Sequence, residues 1–332
     1  MKKIFVGIDV SKKWIDVCVT IDGKEVFHNQ FGNCLSGFKA MLKWLKEYGK
    51  AEDLLLCMEH TGIYAQPLWF FLTEKKIIYC VVAGAVISSG LEIRRGKNDK
   101  IDARDIARFA LRYADELKPH RLPAQLLRRL KMFFSYRDRL VKAKMLISVP
   151  AKEAKEYAGA DSKEVRSDSN SLVQVIQSRI DKVEKLMLQV INSDDQTAQY
   201  YKLIVSVPGF GLVTASYLLI ITQSFTTLQT SRKAANFGGT APHPHKSGTS
   251  IRGKTRVSPV ADKKLKTLLS NGTSSRLQYD LETQQYFARM LQRGKDENLV
   301  KNNIKNKMLH TVYAVVKRGT PYIKNYVSLL NQ

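Results

Sequence analysis

The chain has 332 residues, 44% of them hydrophobic, and carries 54 Lys and Arg against 30 Asp and Glu, a formal net charge of +24. This length supports a sizeable core and two domains, and the composition excludes a disordered chain. The basic excess goes far beyond what solubility needs and points to nucleic acid before a membrane surface, because Lys and Arg run along the whole length and do not gather on one amphipathic helix.

The first hundred residues alternate strand and helix patterns. Ile4 to Val10, Trp14 to Ile21 and Glu25 to Phe31 read as strands, the last two joined by the turn Ile21-Asp22-Gly23-Lys24. Phe38, Met41, Leu42 and Leu45 fall at helical spacing and predict a helix to Tyr48, with Gly49 as its stop. A strand from Leu54 to Met58, a helix near Tyr64 to Lys75 and a strand from Ile77 to Ala83 follow. That order predicts an RNase H-like sheet, in which the first and fourth strands end side by side and bring Asp9 beside Glu59. The run Ile77 to Ile87 is too short to span a bilayer, and Asp9 interrupts the apolar amino terminus, so a cytoplasmic protein without a membrane partner is expected. Cys18, Cys34, Cys57 and Cys80 form no C-x-x-C pair and read as reduced thiols.

Asp99 and Asp102 open a helix expected to reach about Leu117. Their spacing places both carboxylates on one face, where the helix dipole favours ionised acids. Asp105 continues the series as a reserve ligand. Asp9, Glu59, Asp99 and Asp102 thus form a candidate metal site, although any one of them alone is equally well a solvated helix or strand end. Oxygen donors predict Mg2+, with Mn2+ as the alternative, and leave His60, His243 and His245 as outer contacts to ligands or phosphate.

Leu126 to Val149 reads as a basic helix rich in Arg128, Arg129 and their neighbours, suited to phosphate or simply solvated. Asp161 to Ser171 reads as a polar loop or linker. Leu172, Ile176, Ile180, Val183, Met187 and Val190 then recur at spacings of three and four, a stripe that predicts either a coiled coil or packing on its own domain. Gly209 and Gly211, in Val207-Pro208-Gly209-Phe210-Gly211, suit a helix-hairpin-helix phosphate grip or a plain helical turn. The segment His243 to Lys254 offers Ser247, Thr249 and Ser250 as hydroxyls that composition cannot separate, and Lys246, Arg252 and Lys254 for phosphate.

The series Gly-Ile-Asp-Val-Ser-Lys, Met-Glu-His-Thr-Gly and Asn-Asp-Lys-Ile-Asp-Ala-Arg, followed by Val-Pro-Gly-Phe-Gly and Ser-Gly-x-Ser-x-Arg-Gly, resembles the DEDD-type insertion-sequence transposases and the related Piv-type DNA invertases. The resemblance implies a RuvC-like domain over 1–150, a linker and coiled-coil helix over 151–200, and a mainly helical transposase domain over 201–332. It carries catalytic and metal-holding roles to Asp9, Glu59, Asp99 and Asp102, and the nucleophile to Ser247, the first serine of its motif. Contacts to nucleic acid fall to Lys12, Arg104, Arg128, Arg129, Gly209, Gly211, Lys246, Arg252 and Lys254. It further implies Mg2+-dependent strand exchange through a phosphoserine, a dimer or tetramer acting on donor and target DNA at the nucleoid, and a structured noncoding guide RNA. Pro259-Val260-Ala261 departs from the family, which often has a glycine there. A RuvC-like nuclease using water and a non-catalytic nucleic-acid binder are the rival readings.

Overall fold

A computed structural model describes residues 4–21, 23, 25–91, 98–247, 251–258 and 260–324, with backbone alone for residues 25, 244–247 and 251–256. The described chain divides into two units, Met1–Leu122 and Pro123–Gln332.

In the first unit, strands β1 (Ile4–Val10), β2 (Trp14–Ile21), β3 (Glu25–Gly32), β4 (Leu54–Glu59) and β5 (Tyr79–Val82) form one sheet in the order β3-β2-β1-β4-β5. The first three strands are antiparallel, while β1, β4 and β5 run parallel, which is the mixed order anticipated from the sequence. Alternation along each strand sorts its residues between the two faces. Ile4, Val6, Ile8 and Val10 join Leu54, Leu56 and Met58 under helices α1 (Leu35–Leu45) and α2 (Gln66–Glu74). Phe5, Cys57 and Cys80 of the opposite face meet Ile106, Phe109 and Ala110 of helix α4 (Asp99–Arg112), which follows the short α3 (Gly84–Ser89). Each fully buried aliphatic side chain here contributes about 1.5–3 kcal/mol.

Asp9 and Glu59 share the parity of Phe5, Gly7, Leu55 and Cys57, so both belong to the face that α4 covers. Helix α4 can lie close because Gly7 has no side chain: a Cβ there would stand 2.1 Å from Ala103 O and 2.3 Å from Ala107 N. Helix α1 begins and ends earlier than expected, and α4 stops at Arg112, short of Leu117. The cysteines are free, with Cys18, Cys57 and Cys80 buried and Cys34 exposed. Burial pushes the Cys57 thiol up to about 12, which keeps it an inert packing group.

Among the described residues the second unit is helical apart from one ribbon. Helices α5 (Gln125–Tyr157) and α6 (Lys163–Asn192) form an antiparallel hairpin, pinned by Arg137 Nε to Glu184 Oε1 at 2.6 Å and Lys144 Nζ to Gln177 Oε1 at 2.6 Å. Residues 163–171, expected as loop, lie in α6. Their polarity reflects exposure on a projecting hairpin, and polar side chains on a solvated helix do not break its backbone hydrogen bonding. Helix α5, expected to belong to the first 150 residues, packs Leu127, Leu130 and Phe134 into the core of the second unit. The stripe on α6 is likewise covered from within: Val183, Met187 and Val190 join that core, whereas Leu172 is exposed.

Helices α7 (Asp195–Val205), α8 (Leu212–Thr222), α9 (Ser231–Phe237), α10 (Lys263–Tyr279), α11 (Leu281–Gln292) and α12 (Glu297–Arg318) complete the unit. Between α9 and α10 runs an antiparallel ribbon, β6 (Pro242–Ser247) and β7 (Ile251–Val257), irregular between His243 and His245. No described helix is long and apolar enough to cross a membrane.

Candidate metal centre

The sheet places Asp9 near the end of β1 and Glu59 at the end of β4, with Ile8 opposite Met58 in the parallel register. Asn98 starts α4 as its N-cap, its side chain accepting from Lys100 N at 3.1 Å, and sets Asp99 and Asp102 in the first turn. The close contact at Gly7 then seats that turn over β1. Carboxylate oxygens of Asp9, Asp99 and Asp102 lie within 4.8 Å of one another.

Burial, followed by the negative fields of Asp102 and Asp99, pushes the Asp9 carboxyl up to about 6, against a bond from the Val10 backbone that lowers it. Three converging carboxylates that repel one another fit a hard divalent cation, which prefers oxygen donors and offsets the repulsion. Among the described residues this is the one group of three or more His, Cys, Asp or Glu so gathered.

Glu59 is outside that triad, although its charge reaches Asp9. Its carboxylate lies against Gly84 at the start of α3, where a Cβ would stand 2.1 Å from Oε1. Asp105, expected as a reserve ligand, lies 3.8 Å from Arg108 in an ion pair and does not join the triad. His60 packs its ring beside Trp69, with centroids 5.4 Å apart.

Asp16 was missed by the sequence reading. It faces Asp9 directly across β1 and β2, is only 4% exposed, and takes Gln30 Nε2 at 3.1 Å with His28 Nε2 at 2.9 Å. Its signal was an acid inside the apolar strand Trp14–Ile21, on the same face as Cys18.

A family model described as "Transposase", of the DEDD type of IS110, matches residues 6–146. A second, "Transposase IS116/IS110/IS902 family", matches residues 201–288. The chain belongs to the IS110 transposase family. Pilin gene-inverting proteins of Moraxella lacunata and Moraxella bovis are each 26% identical to it, over 98% of this chain and 99% of theirs. An uncharacterized 43.6 kDa protein of insertion element IS110 from Streptomyces coelicolor is 27% identical over 36% of this chain and 29% of its own length.

The other residues predicted to act in this IS110 transposase are distributed over both units. Lys12, in the turn after β1, and Arg104, on α4, are exposed. On α5 Arg129 is exposed, while Arg128 donates to Pro123 O at 2.8 Å. Gly209 has φ +85°, and a Cβ there would meet Gly272 O at 2.8 Å, so close packing on α10 explains this glycine. Gly211, the N-cap of α8, is exposed, and among the described residues a Cβ there would meet nothing within 4 Å. Ser247 ends β6 opposite Ile251 of β7, and Lys246 pairs with Arg252 in the same ribbon. The side chains of Ser247, Lys246, Arg252, Lys254 and His245 fall outside the described residues, as do Thr249 and Ser250 entirely.

Proposed function

We propose that this IS110 transposase is a site-specific DNA recombinase of a mobile element, cutting and rejoining phosphodiesters with Asp9, Glu59, Asp99 and Asp102 as its metal-holding acids. The convergence of Asp9, Asp99 and Asp102 within 4.8 Å, in a chain of net charge +24, carries the reading. A bound Mg2+, or Mn2+, would supply Lewis-acid stabilisation of charge on the scissile phosphate. Asp9, held partly protonated near neutrality by burial and its acidic neighbours, releases that proton when a cation is taken up. Lys12 and Arg104, exposed in the same unit, neutralise the approaching backbone.

The nucleophile in this proposal is the Ser247 hydroxyl. Attack at phosphorus forms a Ser–O–P bond, releases a DNA hydroxyl and conserves the phosphodiester, so a hydroxyl of the partner strand can later displace the serine without an external energy source. Names of the full-length relatives support DNA inversion as one outcome. The proposal extends to a homo-oligomer acting on donor and target DNA in the cytoplasm at the nucleoid, and to a structured noncoding guide RNA as a second polyanionic partner.

The test uses cells carrying the gene with its native flanking DNA, assayed on denaturing gels for DNA covalently attached to protein. The adduct is expected in the wild type and lost in both Ser247→Ala and Asp9→Ala. Free nicks that persist in Ser247→Ala and vanish in Asp9→Ala would overturn the serine step in favour of a water-using nuclease.

A further inference from the structure

A cavity of about 270 Å³ opens at the root of the β6–β7 ribbon, lined by Arg232 and Asn236 of α9, Ala241, Pro242 and His243 at the start of β6, and Asn306 and His310 of α12. Nothing in the proposed chemistry uses it. Its floor is apolar and its edges carry two amides, two imidazoles and a guanidinium. Asn302 Nδ2 donates to Thr240 O at 2.9 Å, which ties α12 to the residue just before the cavity wall, and Ser231 Oγ lies 3.0 Å from His310 Nδ1. These bonds fix the walls in advance.

Inside this frame the Asn306 Oδ1 atom is buried, and among the described residues it has no hydrogen-bond partner. A buried amide oxygen without a partner is an acceptor left unused, and a ligand that offers an N–H in this place would satisfy it.

A second observation lies on the neighbouring stripe of α12. Lys301 and Lys305, one turn apart, cluster with Lys266 of α10, and Lys305 is lowered by burial and then by the fields of Lys266 and Lys301. Lys301 pairs with Glu297 at 2.5 Å, but among the described residues Lys266 and Lys305 have no acidic partner. Helical spacing puts Asn302, Asn306 and His310 on one stripe and Lys301 and Lys305 on the next. An amide-and-imidazole slot beside an uncompensated cationic track matches the two halves of a nucleotide: a planar base with an amine edge, and its phosphate.

We propose that this cavity seats one unstacked, amine-bearing nucleobase of a nucleic-acid strand, with Asn306 Oδ1 accepting from the base, Arg232 closing over its face and the backbone running along Lys266 and Lys305. Strand rise puts His243 about 13 Å along β6 from Ser247, so the seat grips the strand a few nucleotides from the serine's position. This deepens the recombinase reading by naming how a single strand is held, and it rests on that reading only in taking nucleic acid as the ligand.

The test measures binding of the full-length protein to three 12-mers: oligo(dA), oligo(rA) and an abasic deoxyribose-phosphate strand of equal charge. The wild type should favour an adenine strand over the abasic one about tenfold, the scale of a single base stacked and hydrogen-bonded. Asn306→Leu, which fills the slot, and Arg232→Ala, which alters only an exposed side chain, should each bring adenine binding close to the abasic level. Lys305→Gln should weaken all three ligands and flatten their salt dependence. Preference for oligo(dA) or for oligo(rA) identifies the strand as DNA or RNA, and either supports the seat. Equal binding of adenine and abasic strands, or a preference that survives both Asn306→Leu and Arg232→Ala, would overturn it. No cleavage is read in this assay, so a failed covalent-adduct test with an intact base preference would remove the recombinase reading and leave the seat standing.

Discussion

The carboxylate of Glu59 rests directly on Gly84, so closely that a Cβ at position 84 would lie 2.1 Å from Glu59 Oε1 and 2.7 Å from its Cδ. The carboxylate is the end of a flexible, half-buried side chain and can swing away, so Gly84→Ala should be tolerated by the fold but not by the placement of the acid. Expected are a melting temperature within a few degrees of wild type and metal-dependent DNA cleavage lowered about tenfold, equivalent to ~1.4 kcal/mol in the barrier. Unchanged cleavage over a full Mg2+ titration would show that Glu59 need not hold this position.

Gly7 makes the opposite kind of contact, because the atoms that a methyl would strike are backbone atoms of α4, Ala103 O and Ala107 N. Neither can yield without moving the helix that carries Asp99 and Asp102. Gly7→Ala should cost about 1–3 kcal/mol as an overpacked contact, read from the urea midpoint, and should weaken Mn2+ binding measured calorimetrically. The same loss of stability with full Mn2+ affinity would separate the helix contact from the site.

Asp9 gives the site its pH dependence. Its folded carboxyl titrates at about 6, above the ordinary carboxylate value, so the metal-free fold holds this proton more tightly than the unfolded chain. The resulting stabilisation is complete below about pH 4 and is lost as pH rises through about 6. At pH 7.5 without metal, Asp9→Asn should melt higher than wild type, by about 2 °C for a screened effect on the order of 1 kcal/mol. At pH 4 the two should coincide. Mg2+ should then raise the melting temperature of the wild type and leave the Asn variant unmoved. An Asn variant that melts lower at pH 7.5 in the absence of metal would refute the electrostatic origin.

The sequence disclosed the sheet because β1, β4 and β5 are short apolar runs whose order alone prescribes the neighbours, and with them the adjacent strand ends that carry Asp9 and Glu59. Asp99 and Asp102 were legible as a helix start through their three-residue spacing, while the cap that Asn98 places on that helix emerged only with the fold. Asp16 was not, since its place opposite Asp9 depends on a cross-strand register that no local pattern reveals. The helix through residues 163–171 was also hidden, because an exposed hairpin needs no apolar stripe on most of its surface and so resembles a linker. Gly209 read as a phosphate contact for a similar reason: a glycine at a tight turn looks the same whether a ligand or another backbone approaches it, and only the fold brings Gly272 into place.

That ambiguity can be decided by experiment, because Gly209 and Gly211 sit in opposite surroundings. A Cβ on Gly209 would crowd Gly272 O, Met308 Cε and Arg276 Cγ at a positive φ, whereas one on Gly211 meets nothing within 4 Å among the described residues. Arg276 is 5% exposed, and its Nη2 donates to Asp280 Oδ2 at 2.7 Å. Gly209→Ala should therefore disturb a buried ion pair as well as strain the turn, and should lower stability by about 3 kcal/mol or more. Asp280→Ala, which strands the same guanidinium, should cost about as much, and the two losses should combine to less than their sum because they share Arg276. Gly211→Ala should leave the urea midpoint near that of wild type. If it nevertheless weakens binding to a duplex oligonucleotide, the open start of α8 is the phosphate contact; if binding is unchanged, this turn serves only to pack α8 against α10.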